Sequence, residues 1–148
     1  MNALERATKY LSFKPRTRAQ VYNHLIEKGF EVTEVSEAIR ELEEYNYIND
    51  VNFSMLYFQL GFDKGHGLGR IKRELYQKGV KREDIEEAIS QLDYIPDEFE
   101  EAMKIGQRVM EENLGRGDFA RDAMEAMDFK DLQKLKAKIL RRLASRGY

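Results

Sequence analysis

The sequence predicts an all-α protein, built of tandem three-helix, helix-turn-helix-like repeats that form an elongated, curved array. Three observations carry that prediction. The first is a block that recurs 50 positions apart. Val21-Tyr-Asn-His-Leu25-Ile-Glu-Lys28-Gly29-Phe30 leads to Val35, Ala38, Ile39 and Leu42, and Ile71-Lys-Arg-Glu-Leu75-Tyr-Gln-Lys78-Gly79-Val80 leads to Ile85, Ala88, Ile89 and Leu92. A third copy, Ile139-Leu-Arg-Arg-Leu143-Ala-Ser-Arg146-Gly147-Tyr148, ends the sequence. The second observation is spacing: the apolar residues fall at i, i+3, i+4 and i+7, the period of helices with one inward face. The third is that each block carries the same helix stop, a basic residue, then glycine, then a hydrophobic residue. A repeat of this length is one supersecondary element whose neighbours complete its core.

The repeats are expected at residues 1–50, 51–97 and 98–148. In the first, Leu4, Ala7, Thr8 and Leu11 share a face of a short helix that ends before Pro15, which cannot continue it. Thr17 is the expected N-cap of the second helix, whose inward stripe is Val21 and Leu25 with Tyr22 and Ile26 alongside. At its end a cation at Lys28 offsets the exposed carbonyls, Gly29 supplies a left-handed residue and Phe30 packs back. Lys78-Gly79-Val80 and Arg146-Gly147-Tyr148 repeat that chemistry. Thr33 is the expected cap of the third helix, with Glu34 and Glu37 in its first turn and Val35, Ala38, Ile39 and Leu42 inward.

The second repeat opens at Asp50, an N-cap candidate, with Phe53, Leu56, Tyr57 and Leu60 on one helical face. Its second helix starts near Leu68 and its third runs from about Arg82 to Asp93. The third repeat is irregular. Phe99, Ala102, Met103, Ile105 and Gly106 begin a helix; Gly115-Arg-Gly117 breaks the stretch from Met110 to Lys130; Ala120, Ala123, Met124 and Met127 form a further turn or two. A basic helix then runs from Asp131 to Arg146. It is read as the second helix of a unit without its third, either a shortened array or an incomplete terminal unit, and its apolar stripe needs some other cover.

Hydrophobic residues make up 42% and charged residues 35% of the chain, proportions that suit a thin helical protein more than a thick sheet core. No run of 18 apolar residues is present, nor an N-terminal signal-like stretch, so no membrane partner is expected. The absence of cysteine excludes a disulfide framework and points to a reducing cytoplasm. The net charge of −2 hides strong patterning: +4 over residues 1–30, −6 over 31–50, +5 over 51–82, −9 over 83–101, −2 over 102–132 and +6 over 133–148. The sign alternates in step with the repeats.

Little of this is enzymatic. Lys64-Gly65-His66-Gly67-Leu68-Gly69-Arg70 resembles a phosphate cradle, but no strand precedes it and no Lys-Ser/Thr pair closes it, so a mobile interhelical loop is expected. His24 and His66 lack the spacing of metal ligands. The carboxylates of Glu83, Asp84, Glu86 and Glu87 are spread around a helix instead of converging. No catalytic residue, metal or cofactor is therefore expected.

The basic clusters are the partner-binding candidates: Lys14, Arg16 and Arg18; Arg70, Lys72 and Arg73 with Lys81 and Arg82; and Lys138, Arg141 and Arg142, beside Lys134, Lys136 and Arg146. The helix in the recognition position of each helix-turn-helix is acidic, which disfavours major-groove readout. Alternating charge fits a protein surface of opposite sign better. Tyr45, Phe58 and Tyr76 lie off the main stripes and are expected as exposed contacts.

Ala7-x-x-Tyr10-Leu11-Ser12 with Arg16-x-Arg18, Leu25-x-x-Lys28-Gly29-Phe30, Ile48-Asn49-Asp50-x-x-Phe53, Gly69-x-Ile71-x-x-Glu74-Leu75-x-x-Lys78-Gly79-Val80 and Lys136-x-x-Ile139-x-x-x-Leu143-x-x-Arg146-Gly147-Tyr148 together resemble the RecX family. The resemblance implies a monomeric cytoplasmic regulator in DNA repair. Such a protein binds the RecA recombinase filament, lies in its helical groove on single-stranded DNA, and limits recombinase, ATPase and coprotease activities. The alternative is a helical protein that contacts the single-stranded DNA backbone itself. Family members usually continue for a helix or more beyond the position of Tyr148, and many are more basic.

Overall fold

A computed structural model describes residues 1–148. The chain forms helices α1 (Ala3–Phe13), α2 (Arg18–Glu27), α3 (Val32–Glu44), α4 (Asp50–Asp63), α5 (Leu68–Gln77), α6 (Arg82–Gln91), α7 (Glu98–Leu114), α8 (Asp118–Ala126) and α9 (Phe129–Arg146). They divide into two compact units, one of Met1–Leu60 with Lys72–Asp93, the other of Gly61–Ile71 with Tyr94–Tyr148.

In the first unit, the Asn2 side chain caps α1 by accepting from the Glu5 amide at 2.8 Å. The helix ends where Lys14 turns extended before Pro15. Thr17 caps α2 as the sequence indicates, in a reciprocal box with Gln20. The stop of α2 is a Schellman motif: Gly29 has φ 89°, the Phe30 amide reaches back to the Leu25 carbonyl at 3.3 Å and the Gly29 amide to that of Ile26 at 3.0 Å. Gly79 (φ 85°) with Val80, and in the second unit Gly147 (φ 92°) with Tyr148, repeat both bonds.

Ala3, Ala7, Val21, Leu25, Val35, Ala38, Ile39, Leu42 and Ile48 form the core beneath α1 to α3, with Leu4, Tyr10, Leu11, Tyr22 and Phe30 at its margin. Full burial of one such Leu or Ile side chain is worth about 1.5–3 kcal/mol. Thr8 and Ile26, placed on the inward stripes by spacing, are exposed. Beyond α3 the amides of Tyr47 and Ile48 both bond the Leu42 carbonyl, at 2.8 and 3.2 Å, which folds Ile48 into the core.

Three expectations for these helices need correction. Thr33 does not cap α3: the helix begins two residues earlier than such a cap would place it, at Val32, and its N-cap, Glu31, makes no side-chain capping bond. Once Phe30 has closed the stop, the chain is already extended at Glu31, so the next helix follows directly; Lys81 plays the same part before α6. Asp50 does not cap α4, because the Asn49 side chain accepts from the Asn52 amide at 3.0 Å. The third concerns the face of α4. Ser54, Phe58 and Gly61 are buried, whereas Leu56 and Leu60 are about half exposed, at 46% and 50%. Phe58, expected on the surface, is fully enclosed, while Tyr45 and Tyr76 are exposed.

In the second unit, Gly61 lets α4 meet α5 closely, since a methyl group there would lie 2.6 Å from Ile71 Cδ1. The α7 helix is capped by the Asp97 side chain and buries Ile105 and Val109. It packs along α9, with Gly106 beneath Ile139. So α7 covers part of the stripe of α9, leaving Leu135, Ile139 and Leu143 half-buried. The α9 helix starts two residues earlier than its pattern suggests, at Phe129, with Asp128 as its cap.

Candidate partner-binding surfaces

The same joint is built twice, at the start of the second helix of each of two repeats. In the first unit, the fully buried Thr17 hydroxyl donates to the Lys78 carbonyl of the second stop at 2.7 Å. The Arg18 amide donates to Asp50 Oδ1 at 2.8 Å, and Gly79 passes so close to Ala19 that a methyl on it would overlap the alanine side chain. In the second unit, the Gly67 amide donates to the Arg146 carbonyl of the third stop. The Leu68 amide donates to Glu98 Oε1 at 3.0 Å, and a methyl on Gly147 would overlap Arg70. Thus a carboxylate from the first residue of a later helix satisfies the first amide of each helix start, and a stop carbonyl accepts from the residue before it, by its hydroxyl at Thr17 and by its amide at Gly67.

The glycine segment Lys64–Arg70 is accordingly a packed receptacle, which corrects the expectation of a mobile loop. Two of the amides that could cradle an anion, those of Gly67 and Leu68, are taken by the Arg146 carbonyl and the Glu98 carboxylate. The Arg70 guanidinium donates to the Ser145 carbonyl at 3.0 Å, and that of Arg146 to the Lys64 carbonyl at 3.4 Å. The first stop is open by contrast, since a methyl group on Gly29 would meet nothing within 4 Å.

Thr17→Val, which keeps the shape of the side chain, removes the cap of α2 and leaves the Lys78 carbonyl unpaired. It is expected to lower unfolding free energy by about 1–3 kcal/mol, read from the urea midpoint at unchanged m-value.

Asp50 is half-buried in a cleft with Arg18, Glu43 and Asp84. Burial raises its carboxyl pKa above 3.8, and Asp84 and Glu43 add to the rise, against the lowering by the Arg18 amide and charge. A raised folded value means the folded protein holds this proton more tightly than the unfolded chain, so stability falls as pH climbs from 3.8 through the raised value. An asparagine side chain at this position would keep the acceptor for Arg18 without the charge. Asp50→Asn is therefore expected to gain stability relative to the native chain as pH rises from about 3 to about 7, and to match it at the acid end. Urea titrations of both proteins across that range would show it, and parallel curves would refute it.

The candidate cations are dispersed by their own partners. Arg16 lies over the Tyr10 ring at 4.1 Å while His24 stacks on the same ring at 3.8 Å, so Tyr10 is held between them on opposite faces. Burial, then Lys28, Arg6 and Arg16, lowers the pKa of His24 below 6.5 and favours the neutral imidazole that this stack needs. Arg18 pairs with Glu43 at 3.1 Å, Lys72 with Glu86 at 3.5 Å and Arg142 with Glu112 at 3.7 Å, and Lys138 donates to Asn113 at 2.9 Å. Such exposed pairs add roughly 0–1 kcal/mol each and release their charges readily to a competing surface. Lys14, Arg73, Lys81, Arg82 and Arg141 are exposed. No group of three or more His, Asp or Glu side chains gathers in a metal-holding geometry, and no helix is long and apolar enough to cross a membrane.

Sequence reasoning missed two features of these surfaces. The carboxylates of Asp50 and Glu98 act across 32 and 30 residues of chain; their one available signal is that each opens the first helix of its repeat. The half-exposed Leu56 and Leu60 were signalled by the apolar character of α4 around most of its circumference.

Comparison with known proteins agrees with this architecture. The pattern described as "RecX, first three-helix domain" matches residues 3–42, and "RecX, second three-helix domain" matches residues 49–89. The chain is 36% identical over 103 residues to the regulatory protein RecX of Streptococcus uberis, covering 69% of this chain and 40% of that protein. It is 30% identical over 148 residues to the regulatory protein RecX of Lactobacillus johnsonii, covering 99% of this chain and 49% of that protein. The chain thus spans about half or less of the length of these relatives. The crystal structure of RecX from Lactobacillus salivarius superposes with a TM-score of 0.72 at 22% identity, over 99% of this chain and 86% of that one, and shares the fold.

Proposed function

The chain belongs to the RecX family, and from that premise we propose that it binds the RecA recombinase filament and restrains its recombinase, ATPase and coprotease activities in DNA repair. The observation that carries the reading is the tandem of RecX three-helix domains over residues 3–42 and 49–89. Its relatives are named regulatory proteins. A tandem array with charge alternating at the repeat spacing suits a partner that itself repeats, such as a protein filament.

Among the cations, Lys14, Arg73, Lys81, Arg82 and Arg141 are proposed as contacts with acidic patches of the filament, since they are exposed. Arg16 and Arg70, held over a ring and against a carbonyl, are assigned to the protein's own scaffold. The reading places the protein in the cytoplasm.

The purified chain at micromolar concentration is expected to sediment with RecA filaments on single-stranded DNA and to lower their DNA-dependent ATP hydrolysis. Both effects should weaken between about 50 and 300 mM salt, because exposed charges are screened within a Debye length of about 10 Å at 0.1 M. No retention and unchanged hydrolysis would remove the proposal. A shift of bare single-stranded DNA of equal strength would favour direct nucleic-acid binding instead.

A further inference from the structure

The α4 helix carries apolar side chains at Val51, Phe53, Met55, Leu56, Tyr57, Phe58, Leu60 and Phe62, more of its circumference than a helix with one inward face uses. Its core face is Ser54, Phe58 and Gly61, yet Leu56 and Leu60 remain 46% and 50% exposed. A helix apolar nearly all round is ordinarily covered nearly all round. The exposed Leu56 and Leu60, with the half-buried Phe53 and Tyr57, form the floor of a cleft of about 190 Å³ within the first unit, and Lys14 and Lys78 stand at its rim. The cleft is ordered by bonds of its own. The Tyr57 hydroxyl donates to Glu74 Oε2 at 2.9 Å, and the Lys78 ammonium lies 5.4 Å from the centre of the Tyr57 ring.

An apolar floor whose exposed part is leucine and a cationic rim together select the occupant. Single-stranded nucleic acid takes aromatic platforms and a continuous track of cations. Here the most exposed floor residues are leucines, and the rim holds two lysines, too few for a track along a phosphate backbone. A segment with bulky apolar residues on one side and carboxylates at its edges matches both parts, in the manner of an amphipathic helix laid into a groove. We propose that this cleft docks an acidic amphipathic segment of the recombinase, with apolar side chains seated on Leu56 and Leu60 and carboxylates against Lys14 and Lys78. The inference rests on the filament-binding reading above for the identity of the partner, and adds the surface through which that partner is held.

The test uses the full chain and RecA filaments assembled on single-stranded DNA, with binding read by sedimentation. Leu60→Glu and Leu56→Glu place charge at exposed positions, and circular dichroism verifies the fold of each. Either is expected to weaken filament binding tenfold or more. Lys14→Glu combined with Lys78→Glu should weaken it several-fold and flatten its salt dependence, while affinity for bare single-stranded DNA stays as in the native chain. Native binding to filaments with full retention of all these variants would overturn the cleft and leave the filament reading standing. Failure of the native chain to bind filaments would remove both. A matching loss on bare DNA would make the cleft a nucleic-acid surface, and a loss confined to self-association in sedimentation velocity would make its occupant a second copy of the chain; either result overturns the proposal.

Discussion

Leu75→Ala is expected to lower the unfolding free energy by roughly 2–5 kcal/mol. Leu75 is fully buried, on the same face of α5 as the equally buried Ile71, and its carbonyl accepts the Val80 amide of the second stop at 3.1 Å. Truncation removes the transfer free energy of the lost atoms and leaves a cavity that the glycine stop beside it limits in its collapse. Against a total stability of about 5–15 kcal/mol for a small domain, that is a large fraction, and the melting temperature should fall by about 2–4 °C for each kcal/mol in a chain of this size. Urea and thermal unfolding measure it directly. An unchanged midpoint would mean that this stripe faces solvent.

The second large effect is expected at Gly79, and Gly29 supplies its control. Both glycines hold left-handed conformations, with φ of 85° and 89°. Any L side chain at either place carries a strain of roughly 1–2 kcal/mol. They differ in surroundings: at Gly29 the added atom meets nothing within 4 Å, whereas at Gly79 it overlaps the Ala19 side chain. Gly29→Val should therefore cost about the strain alone, and Gly79→Val roughly 2–5 kcal/mol once displacement of Ala19 is added. Equal losses at the two sites would show that the joint is loose. A larger loss at Gly29 would contradict the arrangement altogether.

Much of the fold was legible because its signals are local. A left-handed residue all but demands glycine, so Gly29, Gly79 and Gly147 mark helix ends by themselves, and a threonine ahead of a glutamine at the third position marks the start of α2. The α3 and α6 stripes read correctly because their opposite faces are charged. The α4 face did not, since periodicity distinguishes inside from outside only when the two differ, and this helix is apolar on both. Thr33 misled for a related reason. Caps are favoured where a helix start would otherwise lack partners, but a Schellman stop delivers the chain already extended into the next helix, and neither Glu31 nor Lys81 uses its side chain there.

The candidate surface was legible in its charges and not in their pairing. Lys14, Arg16 and Arg18 are a cluster in sequence, yet one stands at a cleft rim, one on the Tyr10 ring and one against Glu43. The short stretch from Lys14 to Arg18 turns a helix end into a helix start, and each side chain leaves in its own direction. Asp50 and Glu98 illustrate the converse: their function as partners of distant amides depends on a tertiary approach that no local pattern encodes.

The bond from Thr17 to the Lys78 carbonyl joins residues 61 positions apart, and this sets an order of events at the ribosome. Chains are made at about 5–20 residues per second. The first three helices therefore emerge with the start of α2 incomplete, and wait roughly 3–12 s for the second glycine stop to reach it. Closure of the first unit becomes a late, non-local step, and the nascent first repeat passes through an interval in which its buried threonine is still open to water.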